Sequence, residues 1–292
     1  MKINSQTIPI DFGSSIVLNS EEARNFGETL SDSYISNAPF PNIVLDNFLP
    51  SKLALKILEN FPLNNDSLTK LEYAHNIPFV QENKRIIHPE NCNEFNRNMF
   101  AFFNSAPFLQ FLEGLTSISG LMGDSYYVGG GFHEISNGGK LGIHADFELH
   151  EKLPIQRRIN VLIYLNENWK DEYGGSFEIW DKKMKNKLHD ISPIFNRCVI
   201  FSTNDSSYHG HPEPLKCPEN ITRKSIALYY FTASESIYDE VNSFTTTFFV
   251  RPNDDFNTKK NIFIKKLQNK IINFLPAFLF KKLINFRNSK KR

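Results

Sequence analysis

Between residues 121 and 233 the chain breaks into short apolar runs separated by glycine, asparagine and proline, and this rhythm constrains the fold more than any other feature. Candidate strands cover 126–135, 141–146, 157–166, 175–180, 197–203 and 224–232. Two stretches inside them, 159–165 (Ile-Asn-Val-Leu-Ile-Tyr-Leu) and 225–231 (Ser-Ile-Ala-Leu-Tyr-Tyr-Phe), are apolar at nearly every position. A strand with one face in water alternates polar and apolar residues, so a continuous apolar run means cover on both faces. Many short strands with turn residues between them build a sandwich or barrel. The expected fold class is mainly β with flanking helices, around an enclosed jelly-roll core.

The flanks read differently. Residues 1–40 are polar and punctuated, and are expected to wrap the surface. A short strand before Pro50 runs into a helix with Ser51 at its cap and Leu53, Leu55, Ile57 and Leu58 as its apolar stripe. Residues 63–91 are weakly patterned and loop-rich. A helical region over 93–118 carries Phe95, Met99, Phe102, Phe103, Phe108, Phe111, Leu112 and Leu115, whose spacing marks a face packed on a sheet. Residues 259–292 interleave Lys and Arg with apolar residues: Phe263, Leu267, Ile271 and Phe274 share one helical stripe, which Phe278, Leu279 and Leu283 continue past Pro276. A basic amphipathic helix of this kind lies on an anionic membrane, docks on a partner, or packs on its own core. The chain thus divides into a helical support (1–120), a β core (121–235) and a basic extension (236–292).

Composition excludes several classes. With 292 residues and a net charge of +1, the chain has no electrostatic footprint for nucleic acid. Cys92, Cys198 and Cys217 show neither a CxxC nor a zinc spacing, which fits a reducing compartment. Residues 1–13 lack the apolar stretch of a leader, and no run reaches the ~18 apolar residues of a spanning helix. A cytoplasmic protein is expected.

Chemistry concentrates at His144-Ala145-Asp146. Side chains two apart on a strand share a face, so an imidazole and a carboxylate project together toward one divalent metal. His209, after the apolar run Val199-Ile200-Phe201, offers a third ligand across the mouth of a jelly roll. Two histidines and one carboxylate form the facial triad that leaves positions open on non-haem Fe(II). His75, His88, His150 and His189 are read as structural. Arg223 and Ser225 share a face at the start of the last apolar strand, and a guanidinium fork beside a hydroxyl suits a carboxylate, with Lys224 turned away. On 158–164, Asn160, Leu162 and Tyr164 share a face. If it points inward, Tyr164 is a second donor to that carboxylate, and Asn160 reaches its other end near the metal.

These residues sit in longer stretches. Gly139-Lys140-Leu141-Gly142-Ile143-His144-Ala145-Asp146-Phe147 is followed by Arg157-Arg158-Ile159-Asn160-Val161-Leu162-Ile163-Tyr164-Leu165-Asn166 and Tyr173-Gly174-Gly175-Ser176-Phe177-Glu178-Ile179-Trp180. Ser207-Tyr208-His209-Gly210-His211-Pro212 and Arg223-Lys224-Ser225 complete the set. In order and spacing, over about residues 121–233, the chain resembles the Fe(II)- and 2-oxoglutarate-dependent oxygenases, in particular their prolyl-4-hydroxylase-like branch. The resemblance implies a double-stranded β-helix (a cupin-like jelly roll) with Fe(2+) on His144, Asp146 and His209. It also implies 2-oxoglutarate with its far carboxylate on Arg223, aided by Ser225 and Tyr164. O2 is the oxidant and ascorbate a candidate reductant. Collagen-type members carry Lys where this chain has Arg223, which sets it apart from that subgroup. Halogenating relatives replace the carboxylate at the position of Asp146 with a small residue, so its presence favours hydroxylation.

The implied activity is hydroxylation of an unactivated C–H on a prolyl or other amino-acyl residue of a peptide, or on a small metabolite, with release of succinate and CO2. Two competing expectations are a jelly-roll binding module without turnover and a membrane-associated oxygenase acting on a lipid- or glycan-linked substrate through the basic extension. Residues 63–91 and 147–156 are the expected lid or groove.

Overall fold

In the computed structural model, residues 3–62, 72–73, 77–234 and 245–273 are described. Helix α1 (Ser20–Ile35) opens at Asn19, whose side-chain oxygen accepts from the N–H groups of Glu21 and Glu22. Residues 1–40 therefore do more than wrap the surface: α1 buries Ala23, Gly27, Leu30 and Tyr34. Strand β1 (Asn42–Asp46) leads into α2 (Ser51–Glu59), as the apolar stripe predicts. Strand β2 (Gln81–Ile87) lies in the segment read as loop. The 93–118 region forms two helices, α3 (Glu94–Phe103) and α4 (Ala106–Thr116). Asn104 and Ser105 separate them, and Pro107 falls in the first turn of α4, where its missing N–H costs no intrahelical hydrogen bond.

The strands that build the roll follow: β3 (Gly131–Ala145), β4 (Ile155–Tyr164), β5 (Phe177–Trp180), β6 (Lys187–Ile191), β7 (Cys198–Ser202), β8 (His209–His211) and β9 (Arg223–Ala233), with two-residue strands at Met122–Gly123 and Thr247–Phe248 beside them. Strands β6 and β8 escape the hydrophobic pattern, the first because it is mostly exposed and the second because it is three residues long and polar. The sheet runs Ile3–Ser5, β1, β7, β4, β9, β3, β8, β5, β6, with β2 also on β3. Only its first pair is parallel. The first part of β3 pairs with β9 (Arg223↔Ile135), and its last part pairs with β8 (His209↔His144). One strand thus passes from one wall to the other and curls the sheet into the expected double-stranded β-helix.

The two apolar runs are explained by what covers them. Ile159, Val161 and Ile163 of β4, with Ile226, Leu228 and Tyr230 of β9, face the helices and meet Phe100, Phe103, Phe108 and Phe111. The other face of β4 looks into the roll, where Tyr164 and Leu162 meet Val44, Phe177, Ile179, Val199 and Phe201. Burying each large side chain is worth roughly 1.5–3 kcal/mol, so both faces drive closure. Helices α1 and α4 cross with their backbones touching. A Cβ on Gly27 would stand 2.2 Å from the Phe111 carbonyl oxygen, and one on Gly114 2.3 Å from that of Arg24.

Beyond the core, α5 (Phe256–Asn273) packs Ile262 on Val80 and Phe248. Phe263 and Leu267 of the expected stripe are 67% and 50% exposed, so that stripe does not face the core. The side chain of Ile271, and Phe274, Pro276, Phe278, Leu279 and Leu283, lie outside the described residues. No helix among the described residues is long and apolar enough to cross a membrane. All three cysteines are free and buried.

Candidate metal centre

His144 closes β3, and Asp146 follows just past the strand end, so the two side chains emerge on one side of the ribbon. His209 stands directly across from His144 on β8. That pairing depends on Gly210, where a Cβ would come within 2.7 Å of the Gly142 carbonyl oxygen. Any larger residue would push β8 away from β3. The two rings lie 4.4 Å apart between centroids. One ligand atom from each of His144, Asp146 and His209 falls within 4.8 Å of the others. His144 Nε2 is 3.6 Å from Asp146 Oδ1, and His209 Nε2 is 3.4 Å from Asp146 Oδ2.

Tautomers follow from the remaining ring nitrogens. His144 Nδ1 lies 2.9 Å from the Gly142 carbonyl oxygen and His209 Nδ1 2.7 Å from that of Ser207. A carbonyl only accepts, so each Nδ1 carries a hydrogen and each Nε2 is the nitrogen turned toward the cluster. Burial, then the neighbouring His209, lowers the His144 pKa and keeps that ring neutral. Burial alone would raise the Asp146 carboxyl. The Arg157 guanidinium and both imidazoles outweigh it and hold the group well below the ordinary carboxylate range. Two imidazoles and one ionised carboxylate are a donor set fit for a divalent ion such as Fe(II).

The carboxylate has its own support. Asn160 Nδ2 donates to Asp146 Oδ2 at 2.7 Å, and Arg157 Nη2 stands 3.2 Å from the same oxygen. Arg157 Nε donates to Asn160 Oδ1 at 2.7 Å. The guanidinium is stacked 3.4 Å from the Tyr229 ring centroid and 4.7 Å from that of Phe147, with almost no exposure. Asn160 is thereby engaged by Asp146 and Arg157, while still lining the cavity.

That cavity, about 350 Å³, holds the rest of the set. Arg223 and Ser225 both line it, as their shared face predicts. Arg223 Nε donates to the Gly175 carbonyl oxygen at 2.7 Å, and Nη2 lies 3.4 Å from the Tyr164 hydroxyl. Gly175 has φ +72°, and a Cβ there would meet Arg223 Cδ at 3.0 Å, so glycine admits the guanidinium. Lys224 points the other way, toward Thr222 and Glu134. Of the histidines read as structural, His88 bonds the Tyr126 carbonyl oxygen, His189 that of Ala38, and His150 the Asp124 carboxylate, all outside the cavity. His75 lies outside the described residues.

Sequence reasoning missed Lys84, His133, His211 and the role of Arg157. Lys84 comes from β2, whose sequence Gln-Glu-Asn-Lys-Arg-Ile-Ile lacks a clean alternation. Its inward direction follows only from pairing with β3 (Lys84↔Ile135). His211 carries two buried nitrogens with no hydrogen-bond partner among the described residues. Burial, then the charges of Arg223 and Lys84, keeps its ring well below the ordinary pKa.

Comparison with known proteins points the same way. Residues 130–231 match the family model of the 2OG-Fe(II) oxygenase superfamily. Among solved structures, the chain is similar to a Trichoplax adhaerens prolyl hydroxylase determined with a hypoxia-inducible-factor oxygen degradation domain peptide. The identity is 16%, covering 72% of this chain and 91% of that one, with a TM-score of 0.51. A Pseudomonas putida prolyl-4-hydroxylase matches at 18% identity over 71% and 99% of the two chains (TM-score 0.48). HygX of Streptomyces hygroscopicus, solved with nickel and 2-oxoglutarate, matches at 12% over 66% and 83% (TM-score 0.44). The shared fold rests on the first of these.

Proposed function

We propose a reaction for this chain from the premise that it belongs, through residues 130–231, to the 2OG-Fe(II) oxygenase superfamily: hydroxylation of an unactivated C–H bond on a prolyl or other amino-acyl residue, or on a small metabolite. Bound Fe(II) and 2-oxoglutarate supply the oxidising chemistry, in which one atom of O2 enters the C–H bond and the other converts 2-oxoglutarate to succinate and CO2. The observation that carries the reading is the convergence of His144, Asp146 and His209 at one end of a cavity whose other wall holds the buried Arg223.

The chain's own residues have distinct tasks in this reading. His144 and His209 offer Nε2 to the metal because their Nδ1 hydrogens are spent on backbone carbonyls. Asp146 keeps Oδ1 for the metal while Asn160 holds Oδ2, so the carboxylate cannot rotate freely. Arg223 takes the far carboxylate of 2-oxoglutarate, with the Tyr164 hydroxyl and Ser225 beside it. A guanidinium this deeply buried with no carboxylate partner among the described residues is costly until an anion arrives. Phe147, Phe177 and Phe248 line the cavity and limit water.

The test is succinate formation from 2-oxoglutarate in the presence of Fe(II) and O2. His144→Ala, Asp146→Ala and His209→Ala are expected to abolish it, and retained turnover in any of them would sink the metal assignment. Arg223→Ala is expected mainly to raise the KM for 2-oxoglutarate. Omitting ascorbate from the same assay shows whether a reductant is required.

A further inference from the structure

We propose that Lys84 is a specificity residue that receives a carboxylate of the substrate, so that the molecule oxidised is an acid rather than a neutral compound. The inference rests on the oxygenase reading above and names the class of substrate that the same cavity takes.

Lys84 lies in the middle of β2, paired with Ile135 of β3, which is itself paired with Arg223 of β9. Both cations line the cavity, on opposite sides of β3. Lys84 is only 8% exposed, yet it has no hydrogen bond and no ion pair among the described residues. The other two buried cations of the wall are held: Arg157 by Asn160 and Asp146, Arg223 by the Gly175 carbonyl and the Tyr164 hydroxyl. The next residue on β2 shows how a buried cation is usually held here, because Arg85, on the opposite face of the strand, pairs with Glu134 and donates to the Pro62 carbonyl oxygen. A second feature points to a ligand. His211, in the same cavity and 4% exposed, leaves both ring nitrogens without a partner among the described residues.

Charge balance then selects the ligand's sign. Among the described residues lining the cavity, Lys84, Arg157, Arg223 and Lys265 stand against the carboxylate of Asp146. A divalent metal adds two positive charges and 2-oxoglutarate removes two, so the cationic excess survives loading. Arg223 is matched by the cosubstrate, and Lys84 is not. A neutral substrate would leave a desolvated ammonium beside it, whereas a carboxylate would form a charge-assisted hydrogen bond with it. Burial lowers the Lys84 pKa to about 8, with Asp146 opposing, so the ammonium is the main form at neutral pH.

The experiment uses the full chain with Mn(II) in place of iron, so that binding is read without turnover. The first measurement is 2-oxoglutarate affinity, by calorimetry, for the unaltered chain, Lys84→Met, Lys84→Arg and Arg223→Met. Lys84→Met is expected to stay within about twofold, and Arg223→Met to lose at least about tenfold. The second measurement titrates the Mn(II)–2-oxoglutarate complex with paired probes, following water-proton relaxation. One arm pairs proline and other free amino acids with their methyl esters, and a second pairs glutamate-containing capped peptides with their glutamine counterparts. An acid is expected to bind at least about tenfold more tightly than its neutral partner. That preference should vanish in Lys84→Met and persist in Lys84→Arg, and the arm that shows it tells a free acid from an acidic peptide. Three results overturn the proposal: no acid binds better than its partner, the preference survives Lys84→Met, or Lys84→Met loses 2-oxoglutarate as Arg223→Met does. Failure of the unaltered chain to bind Mn(II) and 2-oxoglutarate at all would instead overturn the oxygenase reading beneath it.

Discussion

At the scale of single residues, Asn160 is the most informative side chain. It donates to Asp146 and accepts from Arg157, so in the proposed site it would act on a bound metal through the carboxylate. Asn160→Ala is expected to weaken Mn(II) binding by roughly 10–100-fold, the usual effect of removing a partner that orients a ligand. The midpoint of thermal unfolding should move by only a few degrees, and metal titration with circular dichroism separates the two effects. Asp124 offers a second prediction, about pH. Its carboxylate accepts from the N–H groups of Tyr126 and Val128 and meets His150. Burial would raise its pKa, but the His150 ring and these hydrogen bonds win, and the pKa falls below 3.8. A carboxyl depressed in the folded state adds stability above its unfolded pKa and loses it as pH falls through the folded one. Asp124→Asn is therefore expected to cost about 1–2 kcal/mol at pH 7. That difference should shrink steadily below about pH 4, as read by denaturant titration across pH. A difference that stays constant down to pH 3 would refute this account.

At the scale of elements, the crossing of α1 and α4 makes the sharpest claim. Gly27 and Gly114 let the helices touch, and neither has room for a methyl group. Gly27→Ala is expected to destabilise by about 1–3 kcal/mol despite alanine's better helix propensity, because the backbones must separate. Equilibrium unfolding checks the sign, and a stabilised variant would refute the packing argument. The same helix shows why part of the fold was illegible. The buried face of α1 is Ala23, Gly27, Leu30 and Tyr34, too small and mixed to register as an apolar stripe. The inward faces of β4 and β9 were legible because a period of two allows only two choices, and the apolar runs required cover on both. His144, Asp146, Arg223 and Ser225 could be read for the same reason. Lys84 could not, since the direction of a residue in a polar strand is set by the neighbour it pairs with. His211 was hidden by the irregular register between β8 and β3.

At the scale of the whole molecule, the β-helix carries the proposed site on its walls, and the helices stiffen those walls from outside. Aromatic side chains do much of this, with Phe108 meeting Phe103, Phe111 and Tyr230 at ring distances of 5.0, 5.6 and 6.0 Å. The 15-residue span of β3 has a further consequence. Its first part is laced to the strand of Arg223 and its last to that of His209, so one ribbon carries both jaws of a caliper. Both jaws are hydrogen-bonded into the same curled sheet, so the gap between them is a fixed gauge. A keto diacid one methylene shorter or longer than 2-oxoglutarate can reach one jaw only. Oxaloacetate and 2-oxoadipate are accordingly expected to bind the Mn(II)-loaded chain at least about tenfold more weakly, at the cost of one charge-assisted contact. Competition calorimetry against 2-oxoglutarate reads that ratio, and equal binding of all three acids would mean that the jaws move.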